Sequence, residues 1–222
     1  MSLTLHYHPL ASFCWKPLIA LYEADIPFER VEVDLSDPAQ RERLARLWAP
    51  AKFPVLEDHA RQRVVPESTI VIEHLAQHYP SARSLVPADP DRAREARLWD
   101  RYFDGYVHVH MQKIVLDRLR PADQRDAYGV AEARAALESA YATLEVELAR
   151  KPWAAGETFT LADCSAFPAL FYATMQVPLG AAHPSVANYL ARLQARPSIA
   201  RVLREAEPYM HNVPKDVSAT KA

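Results

Sequence analysis

Two short stretches carry residue types that could do chemistry together: Lys52-Phe53-Pro54-Val55-Leu56 and Pro66-Glu67-Ser68-Thr69-Ile70. The first reads as a strand entered through a proline, a position where no ladder donor is lost. An X–Pro bond in so tight an entry can be cis, which turns the preceding backbone outward. Phe53 then offers its N–H and C=O to an extended peptide, the pairing used in strand addition. The second stretch reads as a helix start. Pro66 cannot continue a strand, Glu67 and Ser68 are polar, and Ile70, Val71, Ile72 and Leu75 supply an apolar face. The free N–H groups and positive dipole end of a helix start suit a carboxylate. Ser68 adds a hydroxyl donor, and Glu67 can hold an ammonium. Taken singly, each stretch fits a buried hairpin strand or an ordinarily capped helix better than a site. Taken together, they point to one site for a ligand that has a peptide backbone, a carboxylate and an amine.

The elements that must position this site follow from the patterning. Residues 3–7 alternate as a short strand that Pro9 ends. Residues 10–16 form a loop into a helix, with Pro17 suited to a first turn, and Asp25-Ile26-Pro27 breaks it. Residues 28–34 alternate as a second strand. Ser36-Asp37-Pro38 starts a charged helix that ends near residues 48–50. The strand after Pro54, a polar turn at 58–62, a short strand at 63–65 and a helix to His78 complete a β-α-β-α-β-β-α order, a compact α/β unit. The expected domain is 1–80, followed by a proline-marked linker over 81–91. The rest reads as helical over 92–207: one long helix from Arg92 to Arg120, bent near Gly105, then a helix over 131–150 with Leu137, Ala140, Tyr141, Leu144 and Leu148 on one stripe. Thr160-Leu161-Ala162-Asp163 reads as a capping box, Pro168 as a bend, and two shorter helices start near Ser185 and Ser198. Residues 208–222 read as a loose tail.

Composition bounds the function. The 222 residues carry a formal net charge of −2, which argues against a general nucleic-acid binder. No run approaches the roughly 20 apolar residues of a membrane span. The two cysteines, Cys14 and Cys164, suit a reducing cytosol better than a disulfide scaffold. His108 and His110 lie two apart on a helix, face different ways and make a poor metal pair. No metal site is expected.

Four pieces in order and at matching spacing carry a resemblance: Ile26-Pro27-Phe28-Glu29, Phe53-Pro54-Val55-Leu56, Glu67-Ser68 and Thr160-Leu161-Ala162-Asp163. With them the chain resembles a cytosolic glutathione transferase over nearly its whole length, a bacterial and serine-type-like member. The resemblance implies a thioredoxin-like N-terminal domain followed by an all-helical domain, a homodimer and a cytoplasmic, detoxifying role. Glutathione has the backbone, carboxylate and amine that the two stretches call for. By resemblance, Phe53, joined through a cis bond to the following Pro54, binds the cysteinyl backbone, Glu67 and Ser68 hold the γ-glutamyl end, and Lys52 reaches the glycine carboxylate.

The reaction needs a donor that stabilises the glutathione thiolate, since a free thiol has a pKa near 8.5. The family's usual serine position is Ala11 here. Ser12 is its neighbour and the first choice for the donor; Tyr7, at the end of the first strand, is the second, and Cys14 the third. The helix dipole and backbone N–H groups could also serve alone. Trp15, Tyr102, Tyr106 and Val109 could line an apolar pocket for a small hydrophobic electrophile, with packing between helices as the competing reading. The functions that follow are conjugation or cleavage with glutathione, a non-catalytic carrier of glutathione or an apolar ligand, and a glutathione-dependent disulfide reductase.

Overall fold

The computed structural model describes residues 2–214. Four strands form one mixed sheet: β1 (Leu3–Tyr7), β2 (Glu29–Glu32), β3 (Val55–Asp58) and β4 (Arg63–Pro66), in the order β2-β1-β3-β4. β1 runs parallel to β2 and antiparallel to β3, with Leu5 opposite Leu56, and β3 pairs antiparallel with β4. The parallel step from β1 to β2 requires a crossover, supplied by helix α1 (Ser12–Glu23). Helix α2 (Pro38–Leu47) is capped by the Asp37 carboxylate, which accepts from the Ala39 N–H at 2.8 Å. Helix α3 (Ser68–His78) completes this α/β unit. It is a thioredoxin-like unit, and the remaining elements are helical.

The helical part consists of α4 (Pro90–Tyr102), α5 (Val109–Arg118), α6 (Ala127–Leu148), α7 (Leu161–Thr174), α8 (Pro184–Gln194) and α9 (Pro197–Ala206). The single long helix expected over 92–120 is in fact α4 and α5 joined by a π-helical segment, Phe103–His108. Such segments insert a residue into the helical register and re-aim the side chains around them. Gly105 lies within it, but a Cβ there would meet nothing within 4 Å, so close packing does not demand the glycine. The start of the expected loose tail, from residue 208, is part of a 3-10 turn over 207–212, and the Tyr209 hydroxyl donates to Glu32 at 3.0 Å. The rest of that expected tail, 215–222, lies outside the described residues.

Helix α1 begins five residues before the proline that was expected to open it. Pro17 lies in its second turn, where the missing N–H leaves the Phe13 carbonyl without its usual partner. The helix packs against α3, α7 and α9. Its Trp15 is fully buried against Phe167, Phe171 and Tyr172, with ring centroids 5.1–5.8 Å apart, and its indole N–H donates to the Pro9 carbonyl at 2.6 Å. Beside it Lys16, only 1 % exposed, sends its ammonium to Asp104 at 2.8 Å, Asp100 at 2.9 Å and the Thr69 hydroxyl at 2.9 Å. Thr69 and Ser165 in turn donate to Asp100. A charge is buried only where it is paired and hydrogen-bonded, so this cluster pins α1, α3, α4 and α7 together.

The capping box is formed as the sequence suggests. The Asp163 carboxylate accepts from the Thr160 N–H at 2.8 Å, the Ala154 N–H at 2.9 Å and the Tyr189 hydroxyl at 2.6 Å. Asp163 is fully buried. Replacing it by alanine strands three buried donors, each costing about 1–3 kcal/mol. The expected outcome for Asp163→Ala is a loss of about 3 kcal/mol or more of unfolding free energy in denaturant titrations; a loss under about 1 kcal/mol contradicts it.

Candidate active site

Two clefts flank the first turn of α1, and Phe13 lines both. The larger has a cavity volume of about 560 Å³. Ser12, Lys52 and Phe53 line one side of it, while Met111 and Val115 of α5 and Leu119 just past its end line the other. The smaller, about 400 Å³, brings Glu67 and Ser68 together with Asp104, Arg101 and Val109.

The Phe53–Pro54 peptide bond is cis. β3 starts at Val55 and is paired on both sides, so Phe53 lies beyond the end of the ladder rather than along a sheet edge. Among the described residues its backbone N–H and C=O have no hydrogen-bond partner, which leaves both to an incoming extended chain. Glu67 adopts a φ of +70°, unfavourable for a residue with a Cβ, and this turn swings the chain from β4 into α3. Non-glycine backbone held this way costs of order 1–3 kcal/mol and collects at ligand sites. α3 then starts with Ser68, which is 5 % exposed.

The α1 end of the site is a helix start without a side-chain cap. Ala11 holds the cap position, and no side chain accepts from the first N–H groups. Those groups and the positive dipole end therefore remain for an anion. Ser12 is the first helical residue, and its hydroxyl is joined to Nε2 of His108, from the π segment. Asp104 of the smaller cleft belongs to the Lys16 cluster. Burial pushes its carboxyl up, while the Lys16 ammonium works in the other direction.

Several residues singled out in the sequence lie elsewhere. Tyr7 is 9 % exposed, lines neither cleft and has its phenol pushed up by burial. Cys14 is fully buried in the core, with its thiol pushed up to about 12, so no thiolate forms there near neutral pH. Trp15 is the α1 core anchor, not a pocket wall. Tyr102 and Tyr106 stack on each other 5.0 Å apart outside both clefts, and the Tyr102 hydroxyl donates to the Ala140 carbonyl. Val109 lines the smaller cleft, not the larger apolar one. The i, i+4, i+8 series Met111, Val115, Leu119 replaces them as the apolar wall, a periodicity visible in the sequence but not singled out there. Asn212, Val213 and Pro214 close the far side. The sequence does not single out Lys16, Asp100 or Asp104 as site residues, and it offers His108 only as half of a poor metal pair, whereas the structure joins it to Ser12. The one sequence signal among them is Lys16, a charge set in the apolar run from Phe13 to Leu21.

Comparison with known proteins yields two family models along the chain. The one described as "Glutathione S-transferase, N-terminal domain" matches residues 5–83, and the one described as "Glutathione S-transferase, C-terminal domain" matches residues 126–192. A glutathione S-transferase-like protein, LUC7, of a Fusarium species is 33 % identical over 133 residues, 57 % of this chain. The match spans 59 % of the Fusarium protein's own length. The glutathione S-transferase hmp2 of Hypomyces subiculosus is 26 % identical over 203 residues, 85 % of this chain and 92 % of that one. A crystal structure of a glutathione S-transferase from Methylobacterium radiotolerans, in complex with glutathione sulfonate, superposes with a TM-score of 0.79 at 28 % identity. That superposition covers 99 % of this chain and 98 % of the other.

The burial of both cysteines has a direct readout. The native protein is expected to leave a chromogenic disulfide reagent unreacted at pH 8 and to release two thiols per chain only on unfolding. Rapid reaction of a thiol in the native state contradicts the placement of Cys14.

Proposed function

We propose that this chain, which belongs to the glutathione S-transferase family, activates the glutathione thiol at the start of α1 and transfers it to a small hydrophobic electrophile. The observation that carries the reading is the pair of clefts meeting at Phe13. One holds polar groups suited to an amine, and the other has a donor-rich side facing an apolar wall. Glutathione spans both. Its γ-glutamyl end lies at Glu67 and Ser68, its cysteinyl backbone pairs with Phe53 beyond the end of β3, and Lys52 takes the glycine carboxylate.

The sulfur then sits at the uncapped start of α1. The backbone N–H groups there and the Ser12 hydroxyl stabilise the anion and so lower its pKa towards neutrality. The thiolate attacks an electrophilic carbon held against Met111, Val115 and Leu119, forming a C–S bond as the leaving group departs with its electron pair. Ser12 is the catalytic donor in this reading. Tyr7 and Cys14 are set aside because they reach neither cleft. Burial of Cys14 also disfavours a disulfide reductase that would use it. The assembly proposed is a homodimer, consistent with the exposed apolar side chains of Ile70, Tyr106 and Val109 on neighbouring elements, and the site of action the cytoplasm.

Ala11, at the position where the family's serine is usual, favours one second reading: a carrier that binds glutathione without turning it over. A steady-state assay with glutathione and chlorodinitrobenzene separates the two. Turnover well above the uncatalysed rate is expected, with Ser12→Ala lowering kcat/KM at least about tenfold and Tyr7→Phe leaving it unchanged. Retention on immobilised glutathione with no turnover establishes the carrier instead.

A further inference from the structure

We propose that His108 is a positioning residue for Ser12: its Nε2–H donates to the Ser12 Oγ and so frees the hydroxyl proton to point at the glutathione sulfur. The inference rests on the reading of Ser12 as thiolate donor and adds what makes it one.

The geometry that carries this is a contact across 96 residues of sequence. Ser12 Oγ, at the first position of α1, meets His108 Nε2, at the last position of the π segment. The imidazole is 2 % exposed and packs against the Phe13 ring, with centroids 4.1 Å apart. Its other nitrogen, Nδ1, is buried with no hydrogen-bond partner among the described residues.

A neutral imidazole carries one N–H and one bare nitrogen. Two tautomers are therefore open to His108, and they have opposite consequences. With the proton on Nδ1, a buried N–H is orphaned, the rarer and costlier kind of unpaired group. The Ser12 proton is then spent on Nε2, which leaves Ser12 only lone pairs to present to an anion. With the proton on Nε2, the orphan is a bare acceptor. Ser12 then receives one hydrogen bond and keeps its own proton for the cavity it lines. The second arrangement is the better satisfied, and it alone stabilises a thiolate.

The ring does not serve as a proton store. Burial, and next the Lys16 ammonium, push its pKa down to about 4, so an imidazolium beside Lys16 is disfavoured at neutral pH. A thiol proton therefore leaves to solvent, while Ser12, held by His108, stabilises the anion left behind.

The test follows the ultraviolet thiolate absorbance of bound glutathione against pH. It compares the unmodified protein with Ser12→Ala, His108→Leu, the double variant and His108→Gln, whose side-chain N–H can replace Nε2–H. Ser12→Ala and His108→Leu are each expected to raise the thiol midpoint by about one pH unit, the double variant by no more than either, and His108→Gln by much less. A shift for Ser12→Ala with none for His108→Leu overturns the positioning role and leaves Ser12 as donor. No shift for either overturns both. Additive shifts also overturn it, because they make the two residues independent. Nitrogen-15 spectroscopy of the histidines in the unmodified protein decides the matter without a core substitution. The Nε2–H tautomer is expected at His108, and the Nδ1–H tautomer refutes the proposal.

Discussion

The arrangement depends on one buried cation. The Lys16 ammonium lies in the middle of α1, away from water, and is neutralised by Asp100 and Asp104 with help from Thr69. Removing one partner of such a pair leaves an uncompensated buried charge, typically at a cost of about 3–5 kcal/mol. The helices that carry those partners can therefore hold only one relative position. That position sets the α1, α3 and π-segment edges of the site. Ser12 and Phe13 lie one turn before Lys16, Ser68 immediately precedes Thr69, and His108 follows Asp104 by one helical turn. Trp15 reinforces the clamp from the other side by filling the space between α1 and α7.

The two clefts differ in kind because the elements that line them differ. Ends of elements line the polar side: the loop before β3, the start of α3 and the start of α1. Element ends leave backbone N–H and C=O groups unpaired, and these can recognise a peptide without a large set of side chains. The apolar wall comes from one face of α5, continued by Leu119 at its C-terminal end, and it presents mainly apolar side chains. A thiolate needs the first environment and an uncharged electrophile the second. The start of α1 brings them within one turn of each other.

Much of this was legible in the sequence where the signals are local. Asp37 before Pro38, and Thr160 with Asp163, announce helix starts that form as expected. Phe53-Pro54 and Glu67-Ser68 mark a strand entry and a helix entry that line the two clefts, one in each. The misreadings arise where a local signal is missing or where the deciding contact is distant in sequence. α1 opens at Ser12 behind an alanine with no capping side chain, so Pro17 looked like the first turn. Tyr102 and Tyr106 share a face by spacing, but the π segment, which starts after Tyr102 and contains Tyr106, and the packing of α6 decide which way that face points. Trp15 reads as readily for a pocket as for a core until Phe167 and Phe171 are seen behind it. Nothing near His108 hints at Ser12, which lies on another domain's helix.

The central claim is that the sulfur of glutathione lies at the start of α1. The most direct measurement is a crystal structure of the complex. The account predicts the sulfur within about 3.5 Å of Ser12 Oγ, with the peptide backbone paired to Phe53 and the amine at Glu67. Glutathione bound elsewhere, or with its sulfur turned away from α1, contradicts it.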